Sequence, residues 1–144
     1  MQTHHSILRT AEDKRLFVLR ILQLQDEIYL QLSESDFELI YSQVETPIYE
    51  YKQDHESPKD FIDSAFKHLS EMEGVYKKQS PLIYISIPQN VMLMLDDLDS
   101  FLGFNTNDNN IKLGIGKCLN TEKIHLFAIF VDQIQSISHI HYKI

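Results

Sequence analysis

At 144 residues, with 43% apolar and 24% charged side chains, the chain has the size and balance of one globular domain, which excludes a disordered or membrane-embedded protein. Asp and Glu number 21 against 13 Lys and Arg, and the resulting net charge of −8 disfavours nucleic acid and anionic lipid as partners. The single cysteine, Cys118, excludes an internal disulfide and fits a reducing compartment.

The first residues, MQTHHSILRTAEDKR, carry charges where a signal peptide has its apolar centre, and the runs VMLML and HLFAIFV fall far short of the ~20 residues that span a bilayer. A cytoplasmic location is therefore expected. With no repeat, linker or low-complexity tract, residues 1–144 read as one domain.

Thr10 is a helix cap, with Glu12 and Asp13 in the first turn. Two apolar stripes follow, Phe17, Ile21, Leu24, Ile28 and Val18, Leu22, Tyr29, Leu32, which predict a long central helix contacted from two sides. RLFVLRILQL is also short enough to read as a strand. SESDFE starts a second helix with Ser35 as cap and Glu38 as its capping-box partner. Phe37, Ile40, Tyr41 and Val44 form its buried stripe, and Pro47 ends or kinks it.

A third helix starts at Ser57–Pro58 with Asp60 in its first turn, keeps helical spacing through Phe61, Ile62, Ala65, Phe66, Leu69 and Met72, and stops at Gly74. PLIYISIP is a β run bounded by prolines. QNVMLMLDDLDSFLG returns to helical spacing, and NTNDNN is a polar loop. Three β runs close the chain, IKLGIGKCL, KIHLFAIFV and QSISHIHYKI, joined by connections short enough for hairpins. Helices followed by strands indicate an α+β fold: a helical N-terminal half packed on a small, mostly antiparallel sheet with a C-terminal three-strand meander.

Several stretches are candidates for chemistry. In SISHIHYKI, His139 and His141 share one strand face, and His125 on the neighbouring run supplies a third nitrogen ligand if the two runs pair. No acidic or thiol ligand completes the set, Lys143 shares the face, and the plainer reading is the wet side of a terminal strand. Cys118 beside His125 is a formal thiolate pair without an orienting third group. GIGKC lacks the first glycine and the Ser/Thr of a phosphate loop, so its glycines mark a bulge or a close approach within a strand. Asp96, Asp97 and Asp99 in LDDLDS read as a solvated helix face. No catalytic constellation and no cofactor site emerges, and the chain is not expected to be an enzyme.

The charge itself is the remaining signal. Between Asp26 and Asp63 stand eleven Asp or Glu against two Lys. Within that segment ETPIYEYKQDHES interleaves carboxylates with tyrosines, side chains that suit a contact with Arg and Lys on a basic surface. Glu38, Glu45, Tyr49, Glu50, Tyr51 and Asp54 are the candidate partner-binding residues. The expected function is a small acidic binding protein that masks a basic protein partner, most concretely an immunity or inhibitor protein that neutralises a nuclease-type toxin. A structural or adaptor subunit of a larger complex is the alternative, and a metal- or Cys-dependent enzyme stands behind both.

Overall fold

The Thr10 hydroxyl accepts a hydrogen bond from the Asp13 N–H at 3.0 Å and starts the first helix where its sequence places it. The computed structural model describes residues 1–72, 79–104 and 112–132. Along the described chain run β1 (Gln2–Leu8), α1 (Ala11–Gln23), β2 (Glu27–Leu30), α2 (Glu34–Ser42), β3 (Thr46–Lys52), α3 (Pro58–Met72) and β4 (Gln79–Pro88). A 3-10 turn (Leu95–Leu98) then leads into α4 (Asp99–Phe104), followed by β5 (Lys112–Cys118) and β6 (His125–Asp132).

The α+β class holds, but the expected long first helix does not. It stops at Gln23, because Asp26 is fastened to the sheet: its N–H donates to the Lys117 carbonyl at 2.8 Å and its carboxylate accepts the Leu119 N–H at 2.7 Å. Ile28 and Tyr29 consequently lie in β2, and Leu32 is buried beyond it. Among the described residues the helix is packed from one side only, and Leu16, Leu19 and Leu22 remain exposed.

The second helix is capped by Ser33 rather than Ser35. Ser33 Oγ accepts the Asp36 N–H at 3.2 Å, and the Asp36 carboxylate accepts the Ser33 N–H at 2.8 Å, which closes a capping box. Pro47 does not kink this helix but stands second in β3, where its missing N–H is tolerated. The third helix agrees with its sequence, with the Ser57 hydroxyl accepting the Asp60 N–H at 3.2 Å. Its expected stop, Gly74, lies outside the described residues.

The six strands form one sheet in the order β1-β3-β6-β4-β5-β2. Four of its five pairings are antiparallel and only β4–β5 is parallel, so β3, β4 and β5 point one way and the other strands oppose them. The expected meander is not formed by its first two strands. β4 lies between β5 and β6, and the third, 135–144, is outside the described residues.

Helices cover both faces of the sheet. On one face Phe61, Ile62, Ala65, Phe66 and Leu69 of α3 pack with Tyr51, Ile83, Leu126 and Ala128. On the other, Phe17, Val18 and Ile21 of α1 and Ile40 of α2 meet Ile48, Tyr84, Phe127 and Ile129. Each fully buried Phe, Leu or Ile contributes about 1.5–3 kcal/mol relative to exposure. The glycines of GIGKC serve a close approach: a Cβ on Gly114 would stand 2.9 Å from Leu32 Cγ and 3.0 Å from Tyr84 Cδ1, and one on Gly116 would overlap the Tyr84 hydroxyl. Among the described residues no helix is long and apolar enough to cross a membrane.

Candidate functional site

Pro88 ends β4, and its carbonyl accepts the Val91 N–H at 3.2 Å in a tight turn. The chain from Val91 to Met94 then forms no helix, and Met94 is extended, because the Asp97 carboxylate takes the Met94 N–H at 2.8 Å and delays the helical turn to Leu95. Extended backbone alternates its side chains. Val91 and Leu93 turn inward against the α3 face of the core, while Met92 (77% exposed) and Met94 (59%) turn out. Leu95 is 81% exposed beside them.

These residues form one wall of a groove of about 390 Å³. Its floor is Ile87 of β4 and Ile115 of β5, and Tyr29 and Lys117 close it on the side of β2. β2 is one edge of the described sheet, with Ile28, Tyr29 and Leu30 all about half exposed. Methionine is unbranched and polarisable, so a methionine-lined groove adapts to differently shaped apolar occupants.

Charge frames this apolar surface. Asp26 and Glu27 stand at the β2 side, the latter accepting the Tyr29 hydroxyl at 3.1 Å, while Asp96 and Asp97 lie between the lining residues Leu95 and Leu98. Among the described residues Lys117 is the one cation lining the groove. Asp99 is compensated in part by Lys59, whose Nζ lies 3.9 Å from its carboxylate.

A second, polar cleft of about 460 Å³ opens at the same end of the sheet, where β3 ends and β6 begins. Lys52, Gln53, Asp54, Thr121, Lys123 and His125 are among its walls. Gln53 holds it open structurally, accepting the Ile124 N–H at 3.1 Å and donating to the Glu56 carbonyl at 2.8 Å. His125 sits at its inner end beside Phe127, over whose ring the Arg20 guanidinium lies at 5.4 Å, paired with Glu50. Burial lowers the His125 pKa; Glu50 opposes that shift, and Lys52 and Arg20 add to it.

The six residues expected to bind a partner do not form one surface. Tyr49 and Tyr51 belong to the α3 side of the core, where Tyr51 is fully buried with its hydroxyl 2.6 Å from His68 Nδ1 and Tyr49 reaches Met72 Sδ at 3.3 Å. Their place in a contact surface is thereby corrected: β3 alternates, and its tyrosines face inward. Burial raises the Tyr51 pKa, with Tyr49 adding to it, so the phenol stays protonated. Glu50 points to the opposite face and is clasped by Arg20. Glu38 and Glu45 are exposed on and after α2, Glu45 lying 3.1 Å from Arg9, and Asp54 flanks the polar cleft.

No group of three or more metal-ligating side chains occurs among the described residues. His139 and His141 lie outside them. Cys118 is buried at the end of β5, and β4 separates that strand from His125, so Cys118 and His125 form no pair. The groove escaped sequence reading because VMLML fits helical spacing; Pro88 before it and the Met94–Asp97 cap were the signals available. Compared with protein families, curated proteins and solved structures, the chain matches no family model, no curated protein and no solved structure, so function is argued from the site itself.

Proposed function

We propose that this chain is a binding protein for a basic protein partner, which it masks by seating an apolar segment of that partner in the methionine groove between β2 and Leu95. A single observation carries the reading: exposed Met92, Met94 and Leu95 line a groove whose neighbouring charges, Asp26, Glu27, Asp96 and Asp97, are acidic. An apolar centre within a charged rim is how protein interfaces divide labour, with the centre supplying affinity and the rim steering encounter. The net charge of −8 works in the same direction. An inhibitor of a nuclease-type toxin is the most concrete form of this role, since a nuclease domain presents the basic surface that such a rim attracts. It is supported by charge and size alone.

The test is a pull-down from the native lysate at low and high salt, with the wild type, Met92→Lys/Leu95→Lys and Glu38→Lys/Glu45→Lys side by side. The expected result is one basic protein retained by the wild type, released by high salt and lost from the groove variant. Loss from the Glu38/Glu45 variant alone would move the interface to α2. Retention that ignores both salt and charge would replace masking by an adaptor role, a reading the apolar exposure of Met92, Met94 and Leu95 favours.

A further inference from the structure

We propose that the polar cleft between the end of β3 and the start of β6 binds a small oxyanion, a carboxylate or a phosphate, through Lys52, Lys123, Thr121 and His125. This site is separate from the methionine groove, with which it shares no lining residue.

Two buried polar atoms at the cleft, Thr121 Oγ1 and His125 Nδ1, have no hydrogen-bond partner among the described residues. Buried polar groups are ordinarily hydrogen-bonded, so two such atoms in one cleft suit a polar ligand. A hydroxyl rotates freely about its bond, and Thr121 can turn its proton outward. Lys52 is exposed at the end of β3 and takes part in no ion pair among the described residues. Lys123 Nζ spends one of its three donors on the Asp54 carbonyl at 2.8 Å and, among the described residues, keeps two.

The cleft therefore offers two ammonium groups, a hydroxyl and an imidazole, and acceptor-rich anions are what such a set pairs with. Its two carboxylates do not fill that role: Asp54 Oδ1 lies 3.4 Å from His55 Nε2, and Glu122 is exposed at the rim. At about 460 Å³ the space accommodates a metabolite-sized anion and excludes a folded partner.

The experiment is a titration of the isotope-labelled full chain with sodium phosphate and, separately, sodium acetate, each against sodium chloride at equal ionic strength, followed by amide and imidazole NMR shifts. The expected result is saturable movement of the Thr121, Lys123 and His125 signals by one of the two anions near a millimolar, an ordinary affinity for a small ion. Phosphate or acetate, whichever saturates, identifies the headgroup class. Lys52→Ala, a change at an exposed and unpaired side chain, should weaken binding about tenfold, the loss of roughly one charge-assisted contact. Thr121→Ala should weaken it severalfold. Shifts that stay linear in both anions, that match chloride, or that saturate identically in Lys52→Ala would overturn the site.

Discussion

Gly116→Ala isolates the packing of β5 under Tyr84. The added methyl would overlap the Tyr84 hydroxyl and stand 3.2 Å from Tyr84 Cζ and 3.2 Å from Gln25 Cβ. The ring has nowhere to retreat, being 1% exposed, in the same cluster as Phe127 and already tight over Gly114. Overpacking of this kind destabilises by about 1–3 kcal/mol. The hydrogen bond from Tyr84 to the Leu24 carbonyl, 3.4 Å long, goes with it at about 1 kcal/mol or less, giving about 1–4 kcal/mol in all. Tyr84→Phe alone should cost below about 1 kcal/mol, because Ser86 still donates to the same carbonyl at 3.2 Å. In the double variant the overlapping oxygen is gone, so the two changes should couple favourably by about 1–2 kcal/mol in a urea-denaturation cycle at unchanged m value. Losses that add within about 0.5 kcal/mol would show that something other than the tyrosine demands glycine at 116.

Ser33→Ala opens the capping box of α2 and should lower stability by about 1 kcal/mol in the same assay, whereas Ser35→Ala, the position favoured by sequence, should change little. Burial by itself raises the Asp36 carboxyl, but Lys112 at 2.9 Å and the Ser33 hydroxyl and N–H outweigh it and hold the folded pKa below the usual carboxylate range. Its contribution is thus present above pH ~4 and lost as pH falls through the folded value, and Asp36→Asn should flatten that limb of the urea midpoint against pH. His125 has a folded pKa below the ordinary ~6.5, so the unfolded chain takes the proton first and stability declines as pH falls below ~6.5; His125→Gln should remove that slope. Glu50→Lys should destabilise by setting a cation against Arg20, while Glu45→Lys, whose pairing with Arg9 is more than half exposed, should stay within about 1 kcal/mol by the same measurement.

The elements legible in the sequence were those whose local signals agree with their tertiary use. Ser57, Pro58 and Asp60 precede a single apolar stripe, and α3 follows them. The prolines around LIYISI bracket the buried middle of β4. Elsewhere two local readings competed. Ser33-x-x-Asp36 and Ser35-x-x-Glu38 both fit a capping box, and the first prevails because Asp36 is the one that meets Lys112 across the fold. Ile28 and Tyr29 in β2 continue the period of α1 and become part of a strand only through the anchoring of Asp26 on β5. TPIYEYK alternates, and its tyrosines suggest a binding surface until the second helical layer covers them. The groove was hidden for a similar reason, since its methionines satisfy a helical period that the backbone does not adopt.

The position of β6 bears on how the chain is made. It pairs with β3 on one side and β4 on the other, and without it the described strands fall into two pieces, β1–β3 and β4–β5–β2, that share no ladder. Its residues emerge from the ribosome after every other strand of the described sheet. Until then β3 and β4 each present a raw edge toward the other, with Tyr51, Ile83 and Ile85 already synthesised. Closure is consequently a late event made in one step by HLFAIFVD, and a synthesis halted before His125 leaves two sticky half-sheets for the quality-control machinery.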